Sequence, residues 1–96
     1  MAVYYITHRT SVGDPKVMEI YSSKVNATIE NFRGRKIVRA GVIEVIEEDG
    51  DPDRMTMTEF PDMYSLKAWH NSPEYEDLKA MRYSVMTSNA IAVKGI

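Results

Sequence analysis

The apolar positions of this chain change their spacing several times, and each change marks the end of one predicted element. Residues 2–10 include the consecutive β-branched and aromatic residues VYYI without a turn former, which predicts a strand. After Asp14, a good helix N-cap, and Pro15, apolar residues recur at helical spacing up to Gly34. This pattern predicts a helix that ends at the glycine.

The pattern returns to that of a strand over residues 35–47, which are rich in valine and isoleucine. Gly41 interrupts this apolar run, so we expect a bulge or a bend there. Residues 48–53 form a polar turn, and residues 54–60 follow as the return strand of a hairpin. Residues 88–96 alternate in side-chain size and predict a closing strand.

The segment FPDMYSLKAWHNSPEY, residues 60–75, predicts a helix that breaks and restarts. Asp62 is a good N-cap for the first part, whose apolar stripe is formed by Met63, Leu66 and Trp69. Ser72 is a second N-cap, followed by Pro73 at the first helical position, where its missing N–H costs nothing. The break therefore falls at Asn71.

The order strand, helix, strand, strand, helix, strand predicts an α+β domain over residues 1–96. Right-handed crossovers and antiparallel pairing arrange it as a ferredoxin-like βαββαβ unit, a four-stranded antiparallel sheet with both helices on one face. The strands carry apolar residues at successive positions, as in VYYI, so both faces of the sheet are apolar. A sheet face in contact with solvent would instead make every other residue of a strand polar. We therefore expect a second copy to cover the free face, which gives a homodimeric α/β barrel.

Composition narrows the classes of function. The 96 residues contain no cysteine, which excludes disulfides, thiolate catalysis and cysteine-ligated metal sites. The net charge is −2 with acidic and basic residues interspersed, so nothing indicates binding to nucleic acid or to an anionic membrane. The sequence has no run of eighteen apolar residues and no signal-peptide pattern. We expect a cytoplasmic protein.

His70 is the first candidate for chemistry, because an imidazole at the end of a helix can act as a general base near neutral pH. The alternative is that His70 caps the last carbonyls of that helix. His8 is the only other histidine, and no third ligand accompanies the two, so the sequence predicts neither a metal site nor a cofactor. The acidic turn lacks the spacing of a calcium loop.

Charged residues inside apolar segments are the second group of candidates. Aligning the hairpin about its turn places Glu59 near Gly41, within reach of Arg39, so Arg39 either pairs with Glu59 or meets an anionic ligand. Arg82 has the same two interpretations, an internal pair or an anion. The candidate ligand-binding residues are Arg39, Trp69, Tyr75 and Arg82.

Four segments of the sequence resemble a known family: VYYITHRTSVGDP, KIVRAG, TEFPDMYSLKAWHNSPEYEDLKAMR and the late SN pair. Together they resemble the bacterial family called domain of unknown function 1330, of the dimeric α/β barrel superfamily. The resemblance implies a ferredoxin-like subunit, a homodimer and no established reaction. Two positions depart from the family pattern: Ala40 replaces the usual glycine, and His70 replaces the usual tyrosine.

The sequence contains no nucleophile elbow, phosphate-binding glycine loop or dinucleotide fingerprint. We therefore expect a protein that binds a small molecule between its sheet and its helices. One alternative is a cofactor-free enzyme, oxygenase-like or isomerase-like, acting on a small aromatic or carboxylate metabolite. The other alternative is a purely structural dimer. Oxygenases, isomerases and haem-degrading enzymes of the superfamily support the enzyme only by analogy of fold.

Overall fold

The computed structural model describes residues 1–39, 43, 44, 46, 47 and 54–96. The elements are β1 (Val3–Val12), α1 (Pro15–Asn31), β2 (Arg35–Arg39), β3 (Arg54–Phe60), α2 (Met63–His70), α3 (Pro73–Val85) and β4 (Met86–Lys94). The strands form one antiparallel sheet in the order β2-β3-β1-β4. This is the predicted α+β, ferredoxin-like arrangement.

The core lies between one face of the sheet and the three helices. Tyr5 on the central strand β1 stands between Thr58 of β3 and Ala92 of β4, and its side chain faces the helices. The buried apolar residues come from the sheet and from every helix: Val3, Tyr5, Val25, Ile29, Phe60, Leu66, Trp69, Tyr75 and Leu78.

The opposite face of the sheet, here called the open face, carries mainly apolar side chains. On this face, Ile91 is 59% exposed and Val93 is 45% exposed. The strand registers place these apolar side chains together there: Tyr4, Ile6, Val38, Met55, Met57, Ile91 and Val93. The structure therefore confirms strands that are apolar on both faces.

Helix α1 ends in a Schellman motif whose left-handed residue is an arginine. Arg33 has φ of 65°, and its N–H donates to Glu30 O at 3.0 Å while the N–H of Gly34 donates to Ile29 O at 3.0 Å. The helix thus ends close to the predicted glycine, but Gly34 is needed for space. A Cβ at residue 34 would lie 2.6 Å from Cε1 of Phe60.

The predicted break between α2 and α3 is confirmed with its capping residues. The carboxylate of Asp62 accepts the Ser65 N–H at 2.7 Å at the start of α2. Ser72 Oγ accepts the N–H of Tyr75 at 3.2 Å and donates to Trp69 O at 2.8 Å. One serine therefore closes the first helix and opens the second.

The predicted hairpin was wrong in length and register. β2 ends at Arg39, and residues 43, 44, 46 and 47 are not in a strand, while the bend expected at Gly41 lies outside the described residues. Glu59 lies opposite Arg35 and forms an ion pair with it at 3.2 Å, so Arg39 is not its partner. The irregularity between Lys36 and Val38 shifts the pairing by only one residue, and beyond it Arg39 lies opposite Thr56, so the whole pairing differs from the predicted register.

Candidate functional site

Arg82 on α3 is a buried cation without a carboxylate partner among the residues that the structure describes. It is 4% exposed. Nη1 donates to Tyr5 Oη at 3.3 Å, and Nη2 donates to Ser88 Oγ at 2.7 Å. A guanidinium has five N–H donors and is costly to bury without a counter-charge. This site is therefore suited to an anion.

A groove of about 410 Å³, here called the β4 groove, separates α2 and α3 from β4. It exists because the residues of β4 that face the helices are small, namely Ser88, Ala90 and Ala92. Of its described lining residues, Lys67, His70 and Arg82 can carry positive charge and none is acidic. The full set is Tyr5, Leu66, Lys67, His70, Asn71, Arg82, Tyr83, Ser88, Ala90, Ile91 and Ala92.

A second, smaller space of about 60 Å³, here called the α1 cavity, lies between the sheet and helix α1. Tyr5 and Arg82 border both this cavity and the β4 groove. The other described residues that line the α1 cavity are Thr7, Arg9, Met18, Tyr21, Ser22, Val25, Ile29, Lys36, Thr56, Thr58 and Trp69. The two spaces thus lie on either side of one phenol and one guanidinium.

The imidazole of His70 lies half-buried in the β4 groove and makes no hydrogen bond to any described residue. Burial lowers the pKa of His70, and the nearby charges of Lys79 and Arg82 lower it further. The ring is therefore neutral at pH 7 and able to accept a proton. It does not cap the helix, because Lys79 Nζ donates to His70 O at 2.9 Å instead.

Trp69 and Tyr75 are buried in the core. Their ring centroids lie 4.2 Å apart, and the hydroxyl of Tyr75 is 2.9 Å from that of Tyr21. Trp69 lines the α1 cavity, whereas Tyr75 lines neither space. Arg39 is exposed on the edge strand β2 and also lines neither. Of the five predicted site residues, His70 and Arg82 meet in one groove.

The phenols around Arg82 are neutral hydrogen-bonding groups. Burial raises the pKa of Tyr5 to about 12, although the guanidinium of Arg82 partly opposes this effect. Burial also raises the pKa of Tyr75, and the neighbouring Tyr21 raises it further. Sequence reasoning missed Tyr5 and Ser88 as site residues. The sequence signal for the groove was the small residue at every second position of β4, namely Ser88, Ala90 and Ala92.

The described part of the chain has neither a candidate metal site nor a membrane-spanning helix. It contains no group of three histidine, cysteine, aspartate or glutamate residues that could hold a metal ion. Within the same residues, no helix is both long and apolar enough to cross a membrane.

Solved structures with this fold share little sequence with the chain. A dimeric ferredoxin-like protein of unknown function from Jannaschia sp. CCS1 is 10% identical with a TM-score of 0.79, over 99% of this chain and 100% of that one. A protein of unknown function from Rhodopseudomonas palustris is 13% identical with a TM-score of 0.77, over 99% and 82%. SnoaB, a cofactor-independent oxygenase from Streptomyces nogalater, is 17% identical with a TM-score of 0.69, over 99% and 93%.

These low identities establish the fold alone. No curated protein sequence matches the chain. The sequence does match the family described as Domain of unknown function (DUF1330), over residues 2–96. Because that match spans nearly the whole chain, this protein belongs to the DUF1330 family.

Proposed function

We propose that this protein binds a small organic anion in the β4 groove, where Arg82 holds the negative charge. One observation carries the proposal: a guanidinium that is 4% exposed borders the groove and has no carboxylate partner among the described residues. A carboxylate ligand would satisfy its remaining N–H donors with charge-assisted hydrogen bonds. Tyr5 and Ser88 hold the guanidinium in place for it.

The shape and lining of the groove support an aromatic or otherwise flat carboxylate. Its volume of about 410 Å³ lies within the range of roughly 300–1,000 Å³ that is usual for small-molecule sites. Leu66 and Tyr83 supply apolar and aromatic surface for the body of a ligand. Lys67 adds a second cation at an exposed position.

The test is a binding titration with benzoate, using benzyl alcohol as the uncharged comparison. Trp69 is the only tryptophan, and its ring centroid lies 6.0 Å from that of His70, so its fluorescence reports on the groove. We expect benzoate to bind, more weakly at high salt, and benzyl alcohol not to bind. Equal binding of both compounds would contradict an anion site.

Variants locate the binding. Arg82→Met should weaken benzoate binding roughly tenfold or more, the effect of losing a hydrogen bond to a charged group. Arg35→Met is the matched control, because Arg35 lies on the exposed side of β2 and pairs with Glu59. If Arg82→Met does not fold, Lys67→Met at the exposed rim should still weaken binding. Unchanged benzoate affinity in Lys67→Met would contradict binding in the β4 groove.

A second candidate function is a cofactor-free enzyme in which His70 acts as a general base. It is favoured by the neutral imidazole that lies in the same groove as Arg82 and makes no hydrogen bond to the described residues. The base would take a proton from the bound anion, and Arg82 would stabilise the negative charge that remains. The fold of SnoaB agrees with such chemistry, at the level of fold alone.

Exchange of a substrate's carbon-bound protons with D₂O tests directly whether His70 acts as a base. Phenylpyruvate in D₂O should lose its methylene proton signal faster with the protein than in buffer, as followed by NMR. His70→Gln should reduce the exchange to the buffer rate while benzoate still binds. Equal exchange rates for the native protein and for His70→Gln would exclude the base and leave the binding function intact.

We also propose that two copies of the chain pack through their open faces. Support comes from the exposed apolar side chains of that face and from the dimeric ferredoxin-like neighbours. The packing would give the α/β barrel expected from the sequence and add buried apolar surface to a small domain.

A further inference from the structure

We propose that the α1 cavity is a second binding site, which takes a small oxyanion such as acetate or phosphate against Arg82 and Thr58. This site is separate from the β4 groove, since the two share only Tyr5 and Arg82 among their described lining residues. The inference therefore extends beyond the ligand proposed for the groove.

The first observation is the hydroxyl of Thr58 in the wall of the cavity. Thr58 is 2% exposed, and its hydroxyl makes no hydrogen bond to any described residue. A hydroxyl that faces a cavity is available to a polar guest inside it. The hydroxyl of Thr58 can therefore donate a hydrogen bond to a guest in the cavity.

The second observation is the charge of the lining. The buried guanidinium of Arg82 borders the cavity, and Arg9 and Lys36, which also make contacts of their own, line it from the sheet. The described lining residues include no carboxylate. Hydroxyl groups make up most of the other polar surface, on Thr7, Tyr21, Ser22, Thr56 and Thr58. Cations and hydroxyl donors together suit an oxyanion better than a neutral guest or a cation.

The third observation is size. A cavity of about 60 Å³, at roughly 10–15 Å³ for each water-sized guest atom, has room for about four to six non-hydrogen atoms. Acetate and phosphate fit within this limit, whereas benzoate exceeds it. Ser22 is exposed and Lys36 is half-buried, which places the solvent side of the cavity next to them.

The experiment compares acetate, phosphate and chloride in titrations followed by the fluorescence of Trp69, which lines the cavity. Thr58→Val keeps the shape of the side chain and removes its hydroxyl. We expect it to weaken the better-bound oxyanion roughly fivefold or more, the effect of losing one hydrogen bond. Lys36→Met should weaken the same oxyanion, and its matched control Lys67→Met, in the groove, should not.

The outcomes separate the two sites. Binding of acetate only, or of phosphate only, identifies the ion as organic or inorganic, and either result supports the site. Absence of binding for both oxyanions would show that the cavity holds water alone and would overturn the inference. Oxyanion binding that responds to Lys67→Met but not to Thr58→Val or Lys36→Met would place the ion in the groove and would also overturn it. Benzoate exceeds the size limit of the cavity, so its binding tests the groove in each case.

Discussion

The indole N–H of Trp69 donates a hydrogen bond of 3.0 Å to Oγ1 of Thr28, which joins α2 to α1 inside the core. Thr28→Val would leave that buried donor without a partner. We expect a loss of about 1–3 kcal/mol in the free energy of unfolding. Urea denaturation measures it, with Thr28→Ser, which keeps the hydroxyl, as the control. A valine variant as stable as the serine variant would contradict this role.

Gly34 is tightly packed between Phe60 and Ile29. A Cβ at this position would lie 2.6 Å from Cε1 of Phe60 and 2.7 Å from Cγ2 of Ile29. Gly34→Ala should therefore destabilise the fold by about 1–3 kcal/mol through overpacking. In Gly13→Ala, the control, the new Cβ approaches nothing closer than 3.3 Å. Thermal unfolding should show a smaller loss of stability in Gly13→Ala than in Gly34→Ala.

The stability of the fold should depend on pH through His70. Burial lowers the pKa of this histidine below its ordinary value of 6.5, so the unfolded chain binds the proton more tightly than the folded one. Stability should then fall as pH decreases from about 6.5, because protonation favours the unfolded state. Urea midpoints between pH 5 and pH 8 measure the effect. A pH profile that is unchanged in His70→Gln would assign the effect to another group.

The β4 groove can be filled without touching the charged residues. Ala90 is exposed in the groove, so Ala90→Leu should block benzoate binding while the melting temperature stays close to that of the native protein. Ala27→Leu, at an exposed position of α1, is the control for adding the same side chain outside the groove. Full benzoate affinity in Ala90→Leu would show that the ligand lies elsewhere.

The proposed dimer predicts the effect of a charge on the open face. Met57 lies on β3 between Ile6 and Val38, near the middle of that face. Met57→Lys should dissociate the dimer at low micromolar concentration, because the interface would bury an unpaired ammonium group. Sedimentation velocity measures it. Ile20→Lys, at an exposed position on α1, should remain dimeric.

Local signals explain why most of the fold was predictable. Asp62 and Ser72 mark helix starts within a few residues of themselves, so sequence alone located the break between α2 and α3. The hairpin depended on more than local sequence. The observed pairing places Arg35 beside Glu59 and Arg39 opposite Thr56, and the irregularity between Lys36 and Val38 accounts for only one residue of this difference. Alignment about a turn cannot detect such a shift.

The site was less predictable because its contacts join distant parts of the chain. Arg82 was a candidate from the helical stripe, but its hydrogen bond to Tyr5 links α3 to the first strand. Trp69 and His70 are adjacent in sequence and yet line different spaces, the α1 cavity and the β4 groove. Neighbouring helical residues point in directions about 100° apart, so adjacency along a helix does not predict a shared site.

The central strand β1 has a consequence for the order of folding during synthesis. β1 pairs on one side with β3 and on the other with β4, and the N–H of Gly95 donates to Ala2 O at 2.8 Å. A nascent chain that has not yet released β4 from the ribosome therefore exposes one whole edge of β1. Exposed strand edges pair readily with other chains. The interval between release of β3 and release of β4 is thus when the new protein is most exposed to aggregation.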